Sequence, residues 1–246
     1  LINMVKFAFV IPSTTNKRDD WKRAEDTYLW TILCSSLEKY TPDIGDRRIK
    51  LFIGYDFDDR IYSIEKERLK FSAVFMHFDI EWFSQKGSPV EPCPWVKGAV
   101  TTIWNYLGDE AVKQGYDYIK VLGDDIRMPN DTGWLGCFAN QLRKNDNIGW
   151  SAGWSNNDQI PTQFLIHKTH INIFGFIYPN EIPNWGCDNW LHDTYPAKYR
   201  KWNKSYPMLN VGGAPRYEIQ FSEKFVKSIV KRYKPRFNKF ISEKNR

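Results

Sequence analysis

Short apolar runs in this chain alternate with longer segments of helical period, and the runs end in polar clusters. Phe7 to Ile11 reads as a buried strand, stopped by Pro12 and the loop Ser13-Thr14-Thr15-Asn16. From about Asp19 to Tyr40 the apolar residues Tyr28, Leu29, Ile32, Leu33, Leu37 and Tyr40 keep helical spacing. Ile49 to Tyr55 is a second strand, followed by the acids Asp56, Asp58 and Asp59. Phe71 to Phe78 reads as a third strand, and residues 81–95, rich in Pro, Gly and Trp, as loop. Val96 to Gly115 reads as a helix capped by Gly115, and it leads directly into the apolar run Tyr118 to Leu122. Strands alternating with helices specify βαβ units, and so an α/β fold on a mostly parallel sheet. With 246 residues, no internal repeat and no low-complexity linker, the chain reads as one domain that needs no staples.

This architecture restricts where chemistry can occur, because open α/β sheets bind ligands beyond the carboxyl ends of their strands. Three polar clusters fall there: Ser13–Asn16, Asp56/Asp58/Asp59, and the adjacent pair Asp124-Asp125 after Gly123. Taken alone, Gly123-Asp124-Asp125 is what an ordinary turn would use. Beside two other polar clusters it reads as a site for a hard divalent cation. Mg²⁺ and Mn²⁺ take carboxylate oxygens, completed by diphosphate and water. Such an ion offsets the repulsion between the carboxylates and holds a nucleoside diphosphate as a leaving group.

The four cysteines, Cys34, Cys93, Cys137 and Cys187, form no CxxC pair, which argues against a zinc knuckle and for reduced thiols. The apolar run at Phe7–Ile11 is too short for a signal core or a membrane span. A cytoplasmic, nuclear or viral setting is therefore expected, with no secretion and no transmembrane segment. The formal charge of +6 is uneven: residues 221–246 carry nine basic and two acidic side chains, so the remainder is close to neutral. Phe225, Val226, Ile229, Val230 and Tyr233 repeat at helical spacing among those lysines, predicting a basic amphipathic helix to about Tyr233. We read residues 1–220 as the catalytic domain and 221–246 as a basic C-terminal helix or tail. A helix packed on the domain with a solvated basic face accounts for this pattern. Attraction to an anionic partner, DNA or a membrane surface, is the sharper alternative.

The opening strand with its Ser/Thr loop, the helix running into "DYIKVLGDD", and the later "WGCDNW" together resemble the GT-A glycosyltransferases. The resemblance spans roughly Phe7 to Tyr195 and implies a Rossmann-like nucleotide-sugar-binding sheet. It also implies Mn²⁺ or Mg²⁺ and transfer of a sugar from a nucleotide-sugar donor, most simply a UDP-sugar. Gly123-Asp124-Asp125 is similar to the family's DxD metal motif without its first acid. By that likeness Asp125 is the direct metal ligand, and Asp124 faces the ribose or the metal's water. The donor's base and ribose fall near Pro12, Ser13, Thr14 and Asp56, while Asp58 and Asp59 read as solvated. Lys97 opens the helix before the metal strand, where it meets a phosphate or simply faces solvent. Small stand-alone viral or algal GT-A proteins resemble this chain most closely in character. The branch associated with DNA-base hydroxylases, which includes the base J glucosyltransferase, is a further likeness.

On the acceptor side, Asp188 of "WGCDNW" matches the family's first acid, and Asn189 replaces the second. Asp188 reads either as the general base that takes the acceptor's proton or as a helix N-cap. His192 follows one helical turn later and is the candidate late histidine ligand, in competition with His167 and His170. Gly212-Gly213 suggest a close backbone approach or an ordinary turn, and Arg216 a phosphate contact. The acceptor is expected to be a hydroxyl on a glycan, a protein or a modified nucleic acid. Two other functions fit less well. A nucleotidyltransferase would carry a glycine-rich basic loop after the first strand, where this chain has Ser-Thr-Thr-Asn. A non-catalytic carbohydrate- or nucleic-acid-binding module leaves Asp124 and Asp125 without a purpose.

Overall fold

The computed structural model describes residues 5–41, 49–84, 95–157 and 159–245. Seven strands form one sheet: β1 (Phe7–Pro12), β2 (Ile49–Tyr55), β3 (Asp79–Ser84), β4 (Tyr118–Val121), β6 (Trp150–Gly153), β7 (Phe164–His167) and β8 (Arg200–Asn203). Their order is β3-β2-β1-β4-β7-β6-β8, and only β7 runs against its neighbours. A two-stranded ribbon, β5 (Ile126–Arg127) with β9 (Leu209–Asn210), stands apart from this sheet. The chain runs outward from β1 through β2 to β3, then returns to place β4 on the other side of β1. That reversal makes the β1/β4 boundary the topological switch point, where a crevice opens beyond the strand ends.

Both faces of the sheet are covered, as near-continuous apolar strands require. On β1, Phe7, Phe9 and Ile11 face one core, which includes Leu33 and Leu37 of the first helical segment and Phe138 of α4 (Trp134–Arg143). Ala8 and Val10 face a second core with Ile103, Leu107 and Ala111 of α3 (Val100–Lys113). Gly115, just beyond α3, has φ 80°, which suits glycine at a helix C-terminus. Strand β4 departs from this apolar rule. Lys120 lies between Tyr118 and Leu122 and is fully buried, with its Nζ 3.0 Å from the Gln163 carbonyl and over the rings of Trp134 and Phe138. Burial lowers its pKa well below the usual lysine value. The folded chain therefore gives up that proton more readily than the unfolded chain, in which a lysine titrates near about pH 10.4. The unfolded state binds more protons, so stability rises with pH toward that value. Lys120→Met is accordingly expected to raise the melting temperature at pH 7, with the gain shrinking toward pH 10. A scan showing no gain at pH 7 would contradict this account.

Several elements differ from the sequence reading. Phe71 lies in a helix, α2 (Glu65–Val74), and the third strand is Asp79–Ser84. Phe71, Phe75 and Phe78 are buried four and three residues apart, a helical spacing that the run of apolar letters conceals. Residues 81–84, read as loop, belong to β3, and residues 85–94, including Cys93, lie outside the described residues. The first helical segment starts later than Asp19. It comprises a single turn at Ala24–Asp26, a wide π-type stretch at Leu29–Cys34, and α1 (Ser35–Tyr40).

The C-terminal helix α7 (Glu223–Lys244) continues well past Tyr233, through Pro235. Proline removes an intrahelical bond there. Phe237 offsets the loss by packing against the rings of Tyr195 and Tyr199, and Arg236 donates to the Phe174 carbonyl at 2.6 Å. α7 rests on α5 (Thr169–Phe174) and α6 (Cys187–Thr194). Cys34, Cys137 and Cys187 are free thiols. Among the described residues no helix is long and apolar enough to cross a membrane.

Candidate active site

The switch point brings together residues that are far apart in the chain. The Ser13 amide donates to the Gly54 carbonyl at 2.8 Å, so the loop leaving β1 stays against β2. Its Oγ donates to Asp124 Oδ2 at 2.7 Å, joining the ends of β1 and β4. Asp59, read as solvated, is buried. Its carboxylate accepts from the Thr15 amide at 2.7 Å and from the amides of Ile61 and Tyr62 at 3.1 and 2.9 Å. Asp59 therefore holds two loops together, and Asp56 is the acid that reaches the cleft. Trp95 Nε1 donates to Asp56 at 3.3 Å, and burial raises its carboxyl pKa. Lys97 is more than half exposed and pairs with Asp58.

These loops line a cleft of about 820 Å³. Pro12, Ser13, Thr14, Asp56, Lys97, Asp124, Asp125, Asp188 and Arg216 all line it. His192 does not, which corrects its reading as a ligand beside Asp125. Its Nδ1 lies 3.0 Å from Asp193, and Arg200 Nη1 approaches its Nε2 at 2.9 Å. A turn of helix separates it from Asp188, but its ring packs toward Trp150 in β6, and its polar partners are Asp193 beside it and Arg200 of β8. His167 bonds Thr169, and the buried His170 sits between the Tyr195 hydroxyl and the Ile177 carbonyl. Among the described residues no group of three or more His, Cys, Asp and Glu side chains is arranged to hold a metal.

The two adjacent aspartates have unlike surroundings. Asp124 is almost completely buried. Arg216 grips both of its oxygens, with Nη1 2.6 Å from Oδ2 and Nη2 against Oδ1. Asp125 accepts from Asn210 Nδ2 at 3.1 Å and faces Arg216 Nη2 at 3.7 Å. Burial and then the neighbouring Asp124 raise its carboxyl pKa, and Arg216 opposes them. Gly212 passes so close to Asp125 that a Cβ there would collide with the carboxylate. The glycine pair therefore marks a close backbone approach. Asn210, two residues earlier, had no distinguishing sequence signal.

Across the cleft, Asp188 lies in the first turn of α6. The capping position belongs to Gly186, at φ 93°, so the N-cap reading of Asp188 is incorrect. Its Oδ1 accepts instead from the Tyr178 hydroxyl at 2.7 Å. Tyr178 is held in turn by Asn105 of α3, whose Oδ1 accepts the amides of Ile177 and Tyr178 at 3.0 and 2.9 Å. Burial raises the Asp188 pKa to about 7, against the stabilising bonds from Tyr178 and Cys187. A carboxyl tuned near neutrality in a cleft is suited to proton transfer.

No protein-family model matches this chain, and no curated protein matches it. Solved structures do match. Residues 1–349 of TarS from S. aureus, in complex with UDP-GlcNAc, align over 92% of this chain at 11% identity and a TM-score of 0.54. The mannosyltransferase PcManGT from Pyrobaculum calidifontis, with GDP-Man and Mn²⁺, aligns over 83% at 8% identity and 0.52. GalNAc-T7, with UDP, GalNAc and Mn²⁺, aligns over 89% at 11% identity and 0.55. The fold is GT-A. At these identities the likeness is one of fold. The chain spans 65%, 56% and 46% of the three proteins' lengths. Within this GT-A sheet, Asp124 and Asp125 stand at the end of β4, beside β1 and at the switch point.

Proposed function

We propose that this chain is a glycosyltransferase that moves a sugar from a nucleoside-diphosphate donor, a UDP-sugar by preference, to an acceptor hydroxyl. The observation that carries the reading is the shared cleft. A carboxyl held near neutral pH, Asp188, lines the same space as the paired aspartates at the switch point. Pro12, Ser13, Thr14 and Asp56 form the wall that would take the base and ribose. Asp188 removes the acceptor's hydroxyl proton as that oxygen bonds the anomeric carbon. The bond from that carbon to the diphosphate oxygen breaks, and the nucleoside diphosphate leaves with the electron pair. The acceptor is a hydroxyl on a glycan, a protein or a modified nucleic acid. Residues 1–220 form the catalytic unit in this reading, and α7, within the basic segment 221–246, supports its acceptor side.

The two aspartates fit a hard cation in donor chemistry, offering carboxylate oxygens at a strand end. Asp125 would be the main ligand for Mn²⁺ or Mg²⁺, with Asp124 beside it. Such an ion would neutralise the leaving diphosphate. Having few protein ligands is compatible with Mg²⁺-type sites, which draw the rest from phosphate and water.

Calorimetry tests the donor assignment. UDP is expected to bind saturably with Mn²⁺, and Asp125→Ala to weaken that binding at least tenfold with an unchanged melting curve. No binding of UDP, GDP or ADP with any divalent ion would overturn the proposal.

A further inference from the structure

We infer that Arg216 is an internal counter-ion seated where a divalent cation shared by Asp124 and Asp125 would lie. It must release Asp124 before a cation and a diphosphate can load together. The inference rests on the donor reading above and concerns how that site is filled. A cation shared by Asp124 and Asp125 would lie between their carboxylates. Arg216 already sits there, forked onto Asp124 and 3.7 Å from Asp125 Oδ2. Its side chain is only 11% exposed, and its Nη1 also donates to the Thr14 carbonyl at 2.8 Å. A guanidinium and a divalent ion in one buried seat repel each other strongly. Either the ion stays out or the arginine moves.

The segment that carries Arg216 lies at the surface. Ala214 and Pro215 are exposed, and Gly212 and Gly213 precede them. Apart from Arg216 itself and the Gly212 amide, which donates to Asn210 Oδ1 at 3.1 Å, its polar contacts reach the loop after β1 and the first helical segment. Arg18 donates to the Ala214 carbonyl and Asn16 to the Arg216 carbonyl, both at 2.7 Å, and the Gly213 amide donates to the Tyr28 hydroxyl at 3.1 Å. Fixed points lie on either side. The Val211 amide is bonded to the Asp125 carbonyl, and Asn184 bonds the backbone of Glu218 and Gln220. The segment between them can swing without opening either core.

The charges say why cation and diphosphate should arrive together. Asp124, Asp125 and Arg216 carry a formal −1, and Asp56 and Glu218 add further acid to a cleft whose other cations, among the described residues, are Lys17 and Lys97. A diphosphate alone meets net negative charge, while a cation alone meets a seated arginine. Together they solve both problems. With the carboxylates free to hold the ion, the displaced guanidinium would find in two phosphate oxygens a new acceptor pair for its fork. Arg216 thus sets the cation affinity and couples it to nucleotide.

Mn²⁺ binding, followed by the electron paramagnetic resonance of the free ion, tests this without any turnover. Arg216→Ala is expected to bind Mn²⁺ alone at least tenfold more tightly than the wild type. It should bind UDP in Mn²⁺ at least tenfold more weakly. Wild-type affinity for Mn²⁺ is expected to rise at least tenfold when UDP is present. Tyr28→Phe keeps every charge and loosens only the Gly213 anchor, so it should also tighten Mn²⁺ binding, by a few-fold. Equal Mn²⁺ affinities for all three proteins would overturn the inference, as would wild-type UDP binding that is the same in EDTA and in Mn²⁺. If no nucleoside diphosphate binds but Arg216→Ala still gains Mn²⁺ affinity, the donor reading fails and the assignment of the seat stands.

Discussion

Asp188→Asn is expected to reduce turnover by roughly 10²–10⁴-fold, the usual contribution of a positioned general base, while leaving UDP affinity within about twofold of wild type. The amide is isosteric, so the bond from the Tyr178 hydroxyl to Oδ1 survives. Only the capacity to take a proton is lost. The wild-type rate should follow the carboxylate form. With the pKa raised to about 7 by burial, kcat/KM rises with pH to about 7 and then levels. A stability measurement separates this from a structural role. Asp188 has its pKa above that of the unfolded chain, about 3.9. Below pH 4 both states are protonated and the carboxyl is neutral to stability. Between pH 4 and 7 the unfolded chain ionises first, so stability falls as pH rises, and above 7 the full cost is present. Asp188→Asn should therefore melt higher than wild type at pH 8 and alike at pH 4. Full turnover retained by the Asp188→Asn variant would remove Asp188 from the mechanism.

The second large effect is an asymmetry in the Arg216–Asp124 pair. Removing one partner of a buried ion pair costs about 3–5 kcal/mol when the charge left behind cannot escape. Asp124 cannot escape. It follows β4, is 2% exposed, and among the described residues has otherwise only the Ser13 hydroxyl for its Oδ2. Arg216, on an exposed segment, can turn to water. Arg216→Gln is therefore expected to cost about 3–5 kcal/mol in metal-free buffer, and Asp124→Asn only the bonds themselves, about 1–3 kcal/mol. For a chain of this size the larger loss lowers the melting temperature by very roughly 6–20 °C. Saturating Mn²⁺ should recover part of it in Arg216→Gln, by mass action on the folded state. Urea titrations showing Asp124→Asn to be the costlier change would contradict the picture of a mobile arginine over an anchored carboxylate.

Much of this arrangement is legible in the letters because it depends on local pattern. Phe7–Ile11 and Tyr118–Leu122 are read as strands since sustained apolar runs of that length suit a sheet covered on both faces. The turn residues that end them place Ser13 and Asp124 at strand ends without any knowledge of the neighbours. α3 follows from its period and its terminal glycine. The misreadings have two causes. In Phe71–Phe78 a helical spacing of aromatics is hidden in an apolar run, and periodicity alone does not separate the two for short segments. His192 shares a helix with Asp188, but which elements flank a helix is set by the sheet order, which no spacing reports.

What the sequence determined by itself is the α/β alternation, and with it the edge of the sheet at which polar residues must collect. It also singled out Asp124, Asp125 and Asp188 as acids whose positions call for a reason. Only the tertiary structure decided their company. Arg216 meets Asp124 across 92 residues of chain, Tyr178 reaches Asp188 from the loop after α5, and Asp59 turns from a solvated acid into a buried clasp. The physical reason is that a carboxylate's chemistry depends on its dielectric and its nearest charges. Those are properties of the folded neighbourhood, and the reversal of strand order between β1 and β4 creates that neighbourhood.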